Sequence, residues 1–148
     1  MIEKSVSLYD RGADGVYIHA SAYTDMGGLL AVPPFEHVTE DKRHTLLWKK
    51  IVELLAKPRE RVPHPKQWNQ LDPMYEMAGC KNWGQFARRA AYCDVEVVSG
   101  KYVFTPGEWD GKGFNGLKSK ARTVDIGTDD AICQEALFGA LSDSRSAS

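Results

Sequence analysis

Proline sets the strongest constraint on this chain. Between Arg61 and Trp83 the sequence reads RVPHPKQWNQLDPMYEMAGCKNW and holds Pro63, Pro65 and Pro73, with Trp68 and Trp83 among them. Proline lacks an N–H and fixes φ, so the stretch cannot be one helix. Two tryptophans are too much apolar surface for a solvated linker. On each side lies a segment of one plan, strands first and then an amphipathic helix. We therefore read residues 61–83 as a packed bridge between two halves of one domain covering residues 1–148.

The first half alternates. Val6 and Leu8 share one side of a short strand. Asp10 to Gly15 is a turn by its glycines and aspartates. From Val16 to Tyr23 the residues Val16, Ile18, Ala20 and Ala22 face one way; Tyr17, His19, Ser21 and Tyr23 face the other. Leu29–Val32 predicts an edge strand stopped by Pro33 and Pro34. Thr39 is expected to cap a helix running to Ala56, with Glu40 and Asp41 in its first turn. Leu47, Ile51, Leu54 and Leu55 supply its apolar stripe, and Lys57-Pro58 closes it.

In the bridge, each residue before a proline is pushed out of the helical region, so Val62-Pro63-His64-Pro65 is extended. Asp72 and Pro73 open a short helix that Gly79 ends. Asn82, with Gln85 three residues on, caps another whose buried stripe is Trp83, Phe86, Ala87 and Ala90. Tyr92–Thr105 predicts a hairpin turning at Ser99-Gly100. Its register sets Val98 opposite Lys101, Val97 opposite Tyr102 and Val95 opposite Phe104, which gathers the apolar residues on one face. Pro106 is expected to end it. A glycine-rich loop, Gly107 to Gly113, follows with Trp109 at its middle. Lys120–Ile126 reads as a strand. Thr128 is expected to cap a last helix lined by Cys133, Leu137 and Leu141 with Ile132, Ala136 and Ala140. The polar tail 142–148 is expected to fray.

Aligned at their ends, the two helices match Ile51 with Leu137, Val52 with Phe138 and Leu55 with Leu141. Duplication and convergent patterning both account for this. The fold class is α+β: a largely antiparallel sheet with two main amphipathic helices, several short ones and two pseudo-repeated halves.

At 148 residues and 43% apolar content the chain can bury a core without disulfides or metal. A net charge of −1 argues against a polyanion partner by total charge. Residues 40–66 nevertheless carry eight bases against four acids, which a solvated helix face explains. Cys80, Cys93 and Cys133 lack the spacing of a metal knuckle or redox pair. No secretory or membrane-spanning apolar run is present, which points to the cytoplasm. His19, His37, His44 and His64 have no ligand-spaced partner and read as surface or turn residues. No catalytic residue, metal or cofactor is expected. Glu108 and Asp110 flank Trp109 among glycines, and an exposed tryptophan there is either folded back on the domain or an interface anchor.

Several residues carry a resemblance. Val62-Pro63-His64-Pro65 with Trp68, then Ala78-Gly79, Trp83 and Phe86, resemble a family of small bacterial immunity proteins. The following hairpin, Pro106, Gly113-Phe114 and the acid-capped final helix continue the likeness, from about Val16 to Arg145. The family is that of the CdiI-type immunity proteins of contact-dependent growth inhibition. The resemblance implies a non-enzymatic protein that binds the toxin C-terminal domain of a CdiA-type effector, often a nuclease, one to one in the cytoplasm. The candidate toxin contacts are Glu108, Trp109, Asp110 and Asp14, chosen because acids opposite a basic nuclease site speed association. Two other readings compete: a thiol hydrolase using Cys80 and His64, and a nucleic-acid-binding module using the basic run from Lys42 to Lys66.

Overall fold

Alternating strand residues give one sheet two different faces. A computed structural model describes residues 4–145. It contains β1 (Lys4–Asp10), β2 (Val16–Tyr23), β3 (Leu29–Val38), β4 (Ala91–Val98), β5 (Lys101–Trp109), β6 (Phe114–Gly116) and β7 (Arg122–Asp125). The helices are α1 (Arg43–Ala56), α2 (Asp72–Met77), α3 (Trp83–Ala87) and α4 (Asp130–Asp143). The strands form one antiparallel sheet of order β3-β2-β1-β4-β5-β6, and β7 also pairs with β5. The outer edge of β5 is thus shared, by β7 at Lys101–Phe104 and by β6 at Gly107–Trp109.

The first face is apolar. Val6, Leu8, Val16, Ile18, Val95 and Phe104 pack against Leu47, Ile51 and Leu54 of α1 and Leu137 and Leu141 of α4. A fully buried leucine or isoleucine contributes about 2 kcal/mol relative to an exposed one, so this layer is the main source of stability. β1–β3 precede α1 and β4–β7 precede α4, both helices lie on this face, and the two sets of strands meet where β1 pairs with β4, Val6 opposite Val95. The helix positions matched by sequence are matched in burial. Ile51 and Leu137 are fully buried, Leu55 and Leu141 nearly so, and Val52 and Phe138 are half-buried at the margin. Ile132 departs from expectation: it lies in the first turn of α4 and is exposed.

The hairpin register agrees at every expected pair. The prolines do not end their strands. β3 continues to Val38, because Pro33 and Pro34 fall in a bulge where the β2–β3 register shifts between His19 and Ala20. β3 is an edge strand, so the missing donors disturb no central ladder. β5 likewise runs through Pro106 to Trp109. The Pro106 carbonyl accepts from Leu117 N at 2.7 Å. A strand residue points its N–H and C=O to the same side, so the absent N–H lies on the outer edge, in the gap between β7 and β6.

The other differences are at ends. Thr39 precedes a 3-10 turn, Glu40–Lys42, and α1 begins after it. α4 starts at Asp130 with Asp129 rather than Thr128 at its cap position. The tail is tied down as far as it is described. Tyr92 N donates to Ser144 Oγ at 2.8 Å, Ser144 Oγ donates to Gly107 O at 2.8 Å, and Trp109 N donates to Arg145 O at 2.9 Å. The remaining tail positions, 146–148, lie outside the described residues.

The bridge covers the second face. Val62 N donates to Tyr23 O and Asp25 N to Val62 O, both at 3.0 Å, which anchors its entry to the end of β2. Arg61 adds a bond to Thr24 O at 2.9 Å. Asn82 caps α3 by accepting from Gln85 N at 2.9 Å, and the Gln85 side chain accepts from Lys81 N at 2.7 Å. This short helix lays Phe86 and Ala87, both fully buried, onto the sheet. No helix among the described residues is long and apolar enough to cross a membrane.

Candidate functional site

The register stacks the second face in rows. Tyr17, Tyr9 and Tyr92 form one, across β2, β1 and β4. His19, Ser7, Asp94 and Thr105 form the next, and Ser21, Ser5, Glu96 and Val103 the third. The aromatic row is roofed. Phe86 of α3 lies 5.3 Å from Tyr17 and 5.6 Å from Tyr9, centroid to centroid, and Phe114 of β6 stacks on Tyr92 at 4.8 Å. Beside it, the polar rows floor a cleft of about 270 Å³. Its walls are Leu29–Ala31 of β3 and Trp68, Gln70 and Leu71 of the bridge. Trp68 is 68% exposed at the rim and Leu29 is 43% exposed.

The floor is built around Asp94. Its Oδ1 accepts from Tyr92 OH at 2.5 Å and from Ser7 Oγ at 2.6 Å. Its Oδ2 has no hydrogen bond among the described residues, and the residue lines the cleft. Burial pushes the Asp94 carboxyl above its ordinary pKa, against the two hydroxyl donors that lower it. Its charge in turn adds to burial in raising Tyr9, Tyr92 and Glu96. The cleft lining contains no lysine or arginine, and the nearest basic influence on this face among the described residues is that of Lys118 on Glu96.

His19 is buried in the same floor, which corrects the expectation of a surface histidine. Its Nδ1 donates to Ala20 O at 2.8 Å, so its Nε2 is the acceptor for Tyr9 OH at 3.1 Å. Burial holds it neutral, with its pKa lowered to about 4. Ser7, His19 and Asp94 are the residue types of a hydrolase triad, and they share one row. The bonding is not that of a triad: Ser7 donates directly to Asp94, and both His19 nitrogens are engaged elsewhere. A nucleophile needs its base within hydrogen-bond reach and that base oriented by the acid. What the arrangement provides is a rigid floor of acceptors.

The sequence-derived candidates attach to this face at other points. Trp109 is not at a loop tip. It ends β5, half-buried, with its ring 5.2 Å from Phe114. Glu108 is exposed beside it, opposite Asn115 of β6. Asp110 is exposed and holds its own turn, accepting from Lys112 N at 2.8 Å, Gly113 N at 2.9 Å and Asn115 Nδ2 at 2.8 Å. These bonds hold its pKa down at about 2. Asp14 pairs with Arg11 and accepts from Tyr17 OH at 3.1 Å. Through Tyr17–Phe86 and Trp109–Phe114, both regions meet the aromatic cluster around Tyr9.

The competing sites are dispersed. No hydrogen bond joins Cys80 to His64; His64 pairs with Thr24 Oγ1 at 3.2 Å while Cys80 packs beside the aromatic cluster. In the basic run, Arg43 binds Asp10 at 2.6 and 2.9 Å, Lys50 lies 3.0 Å from Glu36, and Arg59 is spent on backbone carbonyls. Among the described residues no group of three histidine, cysteine or acidic side chains is placed to hold a metal.

Sequence reasoning missed the Asp94 floor. Its only local signal is serine at alternate positions of β1, Ser5 and Ser7, on the face opposite Val6 and Leu8. That Ser7 meets Asp94 depends on a pairing between strands more than 80 residues apart.

No protein-family model matches the chain, and no curated protein matches its sequence. Two solved structures share its fold nearly end to end. A protein of unknown function from Neisseria meningitidis superposes with a TM-score of 0.75 at 12% identity, covering 98% of this chain and 98% of that one. A chain of the CdiA-CT/CdiI toxin and immunity complex from Yersinia pseudotuberculosis gives a TM-score of 0.72 at 13% identity, covering 96% of this chain and 97% of that one. At such identities the likeness is one of fold.

Proposed function

We propose that this chain is an immunity protein of contact-dependent growth inhibition. It binds the toxin domain of a CdiA-type effector one to one in the cytoplasm and neutralises it without chemistry of its own. The toxin is a nuclease whose active site or substrate surface is covered in the complex. The observation that carries this reading is the end-to-end fold similarity to a chain of the Yersinia pseudotuberculosis toxin and immunity complex. The bonding around His19 supports it, since the polar floor is wired for fixed geometry rather than for proton transfer.

The physical demand is tight association. Protection against few toxin molecules needs nanomolar affinity, on the order of −12 kcal/mol. An interface of roughly 1,600 Å² can supply that if a few buried anchors carry it. The candidate anchors are Trp109, which shares the second face with Thr105, the acids Glu108 and Asp110 that flank it in sequence, and Trp68 at the rim of the cleft. Asp14, in the turn before β2, is the remaining candidate contact.

Titration calorimetry against the toxin domain encoded immediately upstream, with its active site disabled, tests the reading. One-to-one binding at nanomolar strength is expected. Absence of binding at micromolar concentrations overturns it. Alanine at Glu108, Trp109, Asp110 and Asp14 together is expected to weaken binding; unchanged affinity moves the docking site elsewhere. Cys80→Ala is expected to leave protection intact, which a thiol enzyme would not tolerate.

A further inference from the structure

We propose that the cleft over Asp94 receives an arginine side chain presented by the toxin domain, with Trp68 as the apolar anchor at its rim. This rests on the immunity reading and names the chemistry of the partner surface.

Charge complementarity is the first argument. Asp94 lines the cleft and its Oδ2, unlike Oδ1, has no donor among the described residues; Ser21 Oγ, also in the lining, carries no hydrogen bond among them either. The carboxylate oxygen is an acceptor only and the hydroxyl can accept as well as donate, on a floor with no lysine or arginine and with His19 neutral. Glu96 lies one row further along the same face and shares the field. Asp94 is half-buried by surface area, and a partly desolvated carboxylate without a cationic partner is costly; a guanidinium entering the cleft offsets that cost with charge-assisted hydrogen bonds.

The walls give the second argument. A guanidinium is weakly hydrated and stacks on aromatic rings, whereas an ammonium is a compact, strongly hydrated charge. Tyr9 and Tyr92 line the cleft floor and Trp68 stands at its mouth. Trp68 has one edge-on contact, with His64 at 5.4 Å, and otherwise faces solvent. An exposed tryptophan beside exposed Leu29 and a charged pocket fits a partner that brings one basic side chain ringed by apolar contacts.

Geometry also favours a preformed site. Ser7 and Tyr92 fix the Asp94 carboxylate, and the Phe114 stack fixes Tyr92. No side chain of the floor has to reorder when a cation arrives, so little conformational entropy is lost.

The test uses the full chain and the disabled toxin domain. Asp94→Asn is expected to weaken binding at least about 30-fold, the scale of losing one partner of a desolvated charge pair, and Trp68→Ala by about as much, the scale of losing an aromatic hot spot. Lys101→Ala, on the exposed start of β5, is expected to bind as the parent does. Thermal denaturation checks that each variant is folded; Trp68→Ala removes a ring that is mostly in solvent and stands if Asp94→Asn is unstable. As a separate probe, N-acetyl-arginine amide alone is expected to shift the backbone amides of Ser7 and Asp94 in the parent and not in Asp94→Asn. Toxin that binds the parent and both variants equally overturns the cleft while leaving the immunity reading intact. Toxin that fails to bind the parent overturns both.

Discussion

The ring of Tyr92 lies against the backbone of Gly107, so closely that a Cβ at position 107 would overlap the ring edge. The same Cβ would stand 3.2 Å from Phe114 Cβ. The glycine therefore lets β5 pass beneath the Tyr92–Phe114 stack, and Tyr92 in turn holds Asp94. Gly107 O also accepts from Ser144 Oγ and Arg145 N, so the strand has little freedom to move away. Gly107→Ala is expected to cost about 1–3 kcal/mol, the usual penalty of overpacking. Urea denaturation would measure it. A midpoint equal to that of the parent would show that the ring has room to retreat.

His19 makes stability depend on pH. Its pKa is 6.5 when unfolded and about 4 when folded. Between those values the unfolded chain binds the proton more readily, so this contribution is full above pH 6.5 and is lost as pH falls towards 4. The loss is at most about 3 kcal/mol. The groups facing the ring are Tyr9 and Ser7 on β1 and Phe35 on β3. Asp94 acts with the opposite sign, because its raised pKa makes stability fall as pH rises from 3.8. His19→Gln isolates the histidine: the slope of melting temperature between pH 4 and 6.5 should flatten relative to the parent. Nitrogen NMR of the imidazole should find it neutral at pH 5.5.

Arg59 is expected to be worth more than a surface arginine. Its Nη2 donates to Leu54 O at 2.6 Å, Nη1 to Lys57 O at 2.8 Å and Nε to Ser21 O at 3.1 Å. One guanidinium thus closes the C-terminus of α1 and fixes it to β2 just before the bridge begins. Arg59→Ala should destabilise by about 2 kcal/mol, the scale of hydrogen bonds to a charged group. Arg59→Lys should recover little, because an ammonium lacks the planar fork. Paired denaturation curves decide both.

Asp110 should titrate near pH 2, since three donors of its own turn stabilise the charged form. Its contribution is present above the ordinary value of 3.8 and is lost as pH falls through 2. Carboxyl carbon NMR gives the midpoint. Asp110→Ala is expected to speed amide exchange at Lys112 and Gly113 while leaving the global melting temperature close to that of the parent. Unchanged exchange would mean the β5–β6 turn holds without the carboxylate.

Periodicity was enough to read the two long helices, though not their first residues, and local pattern gave the Asn82 cap and the register from Val98–Lys101 back to Val95–Phe104. These are local: they depend on residues a few positions apart, and a one-residue slip would have mixed the hairpin faces. The strand ends were misread because proline was weighed as a breaker. Whether a missing N–H matters depends on what lies across that edge, and for Pro33, Pro34 and Pro106 it is a bulge or a gap. The site depended on tertiary structure entirely. The alternation put His19 on the side of β2 opposite Val16 and Ile18, where it read as a surface or turn histidine, and the hairpin register left Asp94 off the apolar face without marking it as part of a site. Only the pairing of β1 with both strands, and the bridge folding back over them, buried His19 and made Asp94 the half-covered floor of a cleft, because burial is a property of what covers a residue and not of the residue itself.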